Sequence, residues 1–413
     1  MPAKIVRKPS TTVLLKSLFI CWSFGLLVSC NLLKTLKLMK SGETKQKHFK
    51  TDIPFEMRMG LIILKVRVNG VDAEYLLDTG APNVISKELA QKLKLRTNAS
   101  QKTGDSQGKE SELGFARINN INIGGVDFLE TGTAIADLKQ SSEVACLNVD
   151  GFIGSNLMRK AIWKFDYSKK IITICSSRDS LYVTPGFKKI KFSPAVTGTP
   201  IIDVVYNGVI DKNVEVDLGS NGDFISNNIT FESLKKTGKL NRTTYSYGQE
   251  SSGLYGKAAT DTTFYAMISS IKTGEVELNN QVVSFGKGRV KTIGTGYFKN
   301  YDVIFDWWKN EILLLEKTTY NNNKKNFSFS LLFRNNKLYV GSMDESNLPK
   351  GPILGDQVLS INGRNYKACS LEEWCDILYN NPLKTVEEIN LTVLRDGKEY
   401  NFITTRRQLF IQP

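Results

Sequence analysis

The feature that most constrains this chain is an internal repeat. LLDTGAPNVIS (Leu76 to Ser86) is echoed by VDLGSNGDFIS (Val216 to Ser226), and FIGSNLMRKAIWKFDYSKKIITI (Phe152 to Ile174) by TIGTGYFKNYDVIFDWWKNEILLL (Thr292 to Leu315). Asp78 and Asp217 are 139 residues apart, Gly154 and Gly294 are 140, and Asp166 and Asp306 are 140. Two separated blocks sharing nearly one offset define a duplicated unit, and a duplicated unit implies two structural halves facing each other. Each copy reads as mostly β. Leu61 to Val68, the turn Asn69-Gly70 and Val71 to Leu77 form a strand–turn–strand pattern, and Ala116 to Ile123 and Ile171 to Ile174 are further strands. Lys87 to Leu95 is a short helical segment.

The repeated aspartates suggest chemistry. An apolar strand running into Asp78-Thr79-Gly80 puts a carboxylate at a buried strand-to-loop transition, where glycine permits a tight turn. A single such aspartate does little. Two facing carboxylates share one proton, because like charges about 3 Å apart cannot both ionise cheaply. One member then activates water and the other polarises an amide carbonyl. The elements Phe152-Ile153-Gly154 and Thr292-Ile293-Gly294 are expected to thread behind the two aspartate loops. The competing reading of either aspartate, an ordinary turn residue, does not account for the pairing.

Composition excludes the main alternatives. The only histidine is His48, ahead of the folded region, so Ser-His-Asp, Cys-His and catalytic zinc sites lack their usual imidazoles. Much of the net charge of +14 comes from residues 1–50, which hold ten Lys/Arg against Glu43. That excess sits beside an apolar segment and suits membrane proximity better than nucleic acid, for which no motif is present.

Leu77-Asp78-Thr79-Gly80-Ala81 followed by Phe152-Ile153-Gly154 resembles the retropepsin-like aspartic proteases. The two-half chain resembles the single-chain bacterial members of that group, which join two such halves to a PDZ domain. The resemblance implies a mostly β, bilobal acid-protease-like fold built from two duplicated β halves. It also implies peptide-bond hydrolysis by Asp78 and Asp217, supported by Thr79, Gly80, Gly219 and Ser220, with polypeptide substrates, no cofactor and no metal. The second motif departs from the pattern. Leu218 has no hydroxyl, so the hydrogen bond that this position makes across the halves would be one-sided; Ser220 is left to orient Asp217, and Asn221-Gly222 lengthen the loop. Two functions follow: an active endopeptidase, or a degenerate protease fold that binds peptides and acts as a scaffold.

At the N-terminus, Lys4, Arg7, Lys8 and Lys16 precede an apolar stretch ending in Leu27-Val28-Ser29-Cys30. This resembles a bacterial lipobox with Cys30 as the lipidated residue; an uncleaved anchor is the alternative, although Lys34 and Lys37 break the apolar run. Either way the folded part is exported to the cell envelope, periplasmic or surface facing. Residues 1–30 are thus expected as a signal peptide, 31–52 as a basic tether, 53–180 and 181–320 as the two halves, and 326–413, after a polar linker, as a small α/β unit. Export permits disulfides, and Cys146, Cys175, Cys369 and Cys375 fit bridges or buried thiols equally. Pro352 to Gly363 resembles the core of bacterial PDZ domains. That resemblance implies peptide binding by strand addition at Phe327, Ser328, Phe329, Ser330 and Leu331.

Overall fold

The computed structural model describes residues 32–249, 252–287, 290–344, 351–380, 383 and 386–410. The architecture is mostly β. In the first half, strand Leu61–Val68 buries Ile62, Leu64, Val66 and Val68 on one face and turns through Asn69-Gly70, both at positive φ (45° and 84°), into Val71–Asp78. Val71–Asp78 then pairs in parallel with Gly151–Gly154, which sets Gly154 opposite Asp78. Gly151–Gly154 also pairs antiparallel with Val84–Ser86, so it lies between the two strands that flank the aspartate loop. The second half repeats this arrangement. Asn207-Gly208 turns at φ 46° and 80° into Val209–Asp217, which pairs in parallel with Thr292–Gly294 and sets Gly294 opposite Asp217.

The halves share a six-stranded sheet in which Ile162–Asp166 of one copy pairs antiparallel with Tyr301–Asp306 of the other. Phe165 and Phe305 meet edge-on across this seam at 5.7 Å, and with Trp163 they are fully buried. Burying each such ring is worth about 1.5–3 kcal/mol. One hydrophobic core runs from Ile53 to Tyr320 and includes residues of both halves.

Two segments differ from the sequence-based expectation. Residues 32–52, expected as a tether, belong to the fold. Residues 32–40 are helical, with Leu38 and Met39 buried in an apolar cluster of the first half. Glu43–Thr44 pairs with Val126–Ala136 and Lys50–Pro54 with Ile171–Cys175. Leu38 and Met39 are covered by the sheet of the first half, while Leu32 and Leu33 stay exposed. The polar linker after residue 320 is likewise fastened. The Asn322 amide accepts from Val282 N and donates to Val282 O, both at 2.8 Å, copying the pairing of a missing strand. The expected signal segment, with Cys30, lies outside the described residues; among those described, no helix is long and apolar enough to cross a membrane.

In the C-terminal region the hairpin Phe329–Arg334 and Lys337–Asp344 is followed by Gln357–Ile361, helix Leu371–Asn380, and strands Glu388–Arg395 and Lys398–Thr405. This sheet is continuous with the second half, because Thr243–Gly248 pairs antiparallel with Lys337–Asp344. A second tie runs to the first half. Cys146, on helix Ser142–Leu147, is disulfide-bonded to Cys375 on helix Leu371–Asn380, and the Tyr379 hydroxyl donates to Cys146 O at 2.5 Å. Cys175 and Cys369 are buried free thiols. The bridge closes a separation of 229 residues, and a cross-link over so long a loop restricts the unfolded chain strongly. Cys375→Ser is therefore predicted to lower unfolding stability by about 2–4 kcal/mol; an unchanged denaturation midpoint under non-reducing conditions would contradict that coupling.

Candidate active site

Asp78 and Asp217 each end a central strand, and the two loops that follow meet between the halves. The Thr79 hydroxyl, fully buried, donates to Val216 O at 2.6 Å and accepts from Leu218 N at 2.9 Å. One side chain thus satisfies two main-chain groups of the opposite half. Leu218 cannot return this bond, as its residue type dictates; its side chain is fully buried in the main core instead. The second loop is held from within its own half, where Thr295 Oγ1 donates to Leu218 O at 3.0 Å and to Ser220 O at 2.9 Å. Ser155, the matching residue of the first half, donates to Thr79 O at 2.6 Å. Sequence reading passed over Ser155 and Thr295, although both directly follow the repeated Gly154 and Gly294.

The glycines are required by contact. A Cβ on Gly80 would lie 2.7 Å from Asp217 Cγ, and one on Gly219 would lie 2.4 Å from Asp78 Cγ. Each loop's glycine therefore forms the floor beneath the other half's carboxyl. Gly154 and Gly294 are as confined, with a Cβ at 2.1 Å from Pro82 C and 2.5 Å from Gly222 O.

Backbone amides aim the carboxyls. Asp78 Oδ1 accepts from Gly80 N at 2.9 Å and Ala81 N at 3.0 Å, and Asp217 Oδ1 accepts from Gly219 N at 2.9 Å. The expected help from the Ser220 hydroxyl takes another form. Its Oγ accepts from Gly222 N at 3.3 Å, and the Ser220 amide donates to the Asp217 main-chain carbonyl at 3.2 Å, beside the carboxyl whose pKa it helps to lower. The two carboxyls also hydrogen-bond each other. Burial, and then the charge of Asp217, hold Asp78 well above the ordinary aspartate range. Burial raises Asp217 as well, while hydrogen bonds from Asp78 and from the Gly219, Ser220 and Gly80 amides pull it back. The pair titrates as a unit and keeps one proton into the range where isolated aspartates are ionised.

Two hairpins reach toward each other beside this pair. The first, Ala99–Gly104 with Glu110–Ile123, ends in a turn where Asp105 Oδ1 accepts from Gln107 N and Lys109 N. The second, Thr243–Gly248 with Asp261–Thr273, carries Tyr255 near its tip. Tyr255 N donates to Asp105 Oδ2 at 2.9 Å, and the Tyr255 hydroxyl lies 3.2 Å from Thr103 Oγ1. Leu254 and Tyr255 pack on the apolar cluster containing Leu76 and Phe152. The second tip is anchored further by Lys257 Nζ on Glu143 Oε1 at 2.7 Å and Ser252 Oγ on Glu143 Oε2 at 3.0 Å.

The C-terminal candidates lie elsewhere. Ser328 and Phe329 are buried, Ser330 Oγ is 2.7 Å from Ser342 Oγ, and Phe329 to Leu331 pair with Val340 to Met343. Among the described residues no group of three or more His, Cys, Asp or Glu is arranged to hold a metal ion.

Residues 64–157 match the family model described as aspartyl protease, a segment that includes Asp78-Thr79-Gly80 and Phe152-Ile153-Gly154. Among solved structures the chain is similar to a retropepsin-like aspartic protease from Rickettsia conorii, with 21% identity over 33% of this chain and 93% of that chain and a TM-score of 0.23. No curated protein matches the chain.

Two outcomes follow from the geometry. Thr79→Val strands Val216 O and Leu218 N without their buried partner and is predicted to cost about 2–4 kcal/mol, measured by denaturant unfolding; a loss under about 0.5 kcal/mol would show that the hydroxyl does not tie the halves. The second concerns pH. Both aspartates are raised from 3.8, so the folded state binds protons more tightly than the unfolded chain. Their contribution is most favourable in acid and is lost as pH rises from that value through the pair's raised range. Stability of the native chain is predicted to fall across that window more steeply than stability of Asp78→Asn; parallel profiles would contradict the shared proton.

Proposed function

We propose that this chain is an aspartic endopeptidase in which Asp78 and Asp217 form the catalytic pair. The observation that carries the reading is the hydrogen-bonded carboxyl pair at the junction of two equivalent loops, each carboxyl aimed by backbone amides. In this arrangement the ionised carboxylate takes a proton from a water lying between the pair, and that water attacks the scissile carbonyl carbon. The protonated carboxyl donates to the carbonyl oxygen. As the C–N bond breaks, the proton gained by the first carboxylate passes to the leaving amine and a hydroxyl of the tetrahedral intermediate gives its proton back to the second carboxylate, which returns the pair to its one-proton state. Thr79, Gly80, Gly219 and the Ser220 amide act by positioning. The hairpin tips at Asp105 and Tyr255 part to admit a polypeptide and close over it.

Export to the cell envelope, with Cys30 as lipid anchor, belongs to the same proposal. The Cys146–Cys375 bridge supports it, since disulfides persist in oxidising compartments. The C-terminal region is read as a PDZ-like module that adds a peptide strand near Phe327 to Leu331. A second reading, peptide binding without turnover, is favoured by Leu218, which leaves one hydroxyl rather than two spanning the halves.

The deciding experiment compares cleavage of an unfolded protein by the native chain, Asp78→Asn and Asp217→Asn. Both variants are expected to lose about a thousandfold or more in kcat/KM while still binding substrate. Undiminished cleavage by either variant would overturn the assignment; binding without cleavage by the native chain would establish the second reading.

A further inference from the structure

The walls on either side of the aspartate pair are built from the same four places in the two halves. Strand register defines them. In the first half Ile63 pairs with Leu76, Leu76 with Phe152, and Phe152 with Val84, giving one row across four strands. In the second half Ile201 pairs with Glu215, Glu215 with Thr292, and Thr292 with Ile225. Leu76 and Glu215 each stand two residues before an aspartate, so their side chains leave the strand on the aspartate's face. The core assignment agrees: Tyr75 and Leu77 in one strand, and Val214 and Val216 in the other, point into the main core, while Leu76 and Glu215 do not.

The outer places of the row stay aliphatic and the inner two change. Leu76 and Phe152 are 3% and 6% exposed in the first half, where they belong to an apolar cluster under Leu254 and Tyr255. Their counterparts Glu215 and Thr292 replace two large apolar side chains by a carboxylate and a small hydroxyl. Glu215 is half-buried; its amide donates to Lys291 O at 2.8 Å, while its carboxyl has no side-chain hydrogen bond or ion pair to any described residue. The lysine that precedes Thr292 is committed elsewhere, since Lys291 Nζ bonds Asp211 Oδ1 at 2.8 Å. Burial, then the charge of Asp217, push the Glu215 carboxyl up to about 7. A half-buried carboxylate without a protein cation is costly, and a cation supplied from outside relieves the cost.

We infer that Glu215 and Thr292 form a substrate subsite that takes a basic side chain, lysine or arginine, on the side of the scissile bond lying over the second half, while Leu76 and Phe152 take an apolar side chain on the other. The volume released by threonine in place of phenylalanine admits the aliphatic stem, and Glu215 meets the charged end. The inference rests on the proposed peptidase reading for the word substrate; the pocket itself is a binding site whether or not the bond is cut.

The test uses the full chain and two peptides that differ at one residue beside the scissile bond, lysine in one and its uncharged near-isostere norleucine in the other, with each flanking position tried in turn. Cleavage is read as kcat/KM. Binding is read in parallel with reduced-amide versions that cannot be cut. Lysine is expected to be preferred by about ten- to hundredfold at one flanking position only. The preference should disappear in E215Q, which keeps the shape, and reverse in E215L, which copies the first half. No lysine preference at either position, or a preference unchanged in E215Q, would overturn the subsite. Cleavage without preference would leave the peptidase reading standing and remove the pocket. Glu215-dependent binding of the lysine peptide without cleavage would keep the pocket and remove the peptidase reading.

Discussion

Everything at the centre of this molecule depends on the buried hydroxyl of Thr79. It takes the main-chain acceptor of Val216 and the donor of Leu218, both on the opposite half, and so fixes the separation and rotation of the two aspartate loops at once. Only at that separation can Gly80 and Gly219 lie against the opposing carboxyls without a Cβ, and only then are the carboxyls close enough to share a proton. Hydrophobic burial along the seam of Phe165 and Phe305 supplies cohesion but little direction. A hydrogen bond of about 1 kcal/mol supplies direction, because leaving its partners unmet in a dry interior costs more than the bond itself gains.

The duplication has not kept the halves equal. The first retains the hydroxyl and an apolar wall. The second has Leu218 in the core, a carboxylate at Glu215, and a hairpin joined edge-on to the C-terminal sheet through Thr243–Gly248. The first hairpin has no such partner among the described residues, since Ala99–Gly104 ends its sheet. The C-terminal region also grips the first half through Cys146–Cys375 and lies near the second hairpin tip, where Lys257 sits 6.0 Å over the Trp374 ring. The two hairpins are therefore held unequally, and the C-terminal region is tied mechanically to both halves.

Much of this was legible in the sequence because it is written in local patterns that recur. The offsets linking Asp78 to Asp217 and Gly154 to Gly294 pointed to an equivalent element behind each loop, though not to its parallel pairing, and Asn69-Gly70 marked a hairpin by its turn chemistry. What escaped is non-local. The consequence of Leu218 was read from its missing side-chain hydroxyl, but the bond that matters uses its amide, and any residue other than proline can supply that. Residues 32–52 read as a polar tether because their few apolar positions gain meaning only when a distant sheet needs covering. The pairing of Cys146 with Cys375 depends on two helices meeting across the whole chain, which no spacing reveals. Glu215 was passed over because a glutamate in a strand is unremarkable until register aligns it with Leu76.

The central claim is that two halves of one chain place Asp78 and Asp217 at a single reaction centre. The most direct measurement is a crystal structure of the full chain with a peptide carrying a secondary hydroxyl in place of the scissile carbonyl. The account predicts that this hydroxyl lies between the carboxyls, within hydrogen-bonding distance of both, with the peptide running beneath the Asp105 and Tyr255 hairpin tips. A peptide seated away from the pair, or a hydroxyl touching one aspartate alone, would contradict it.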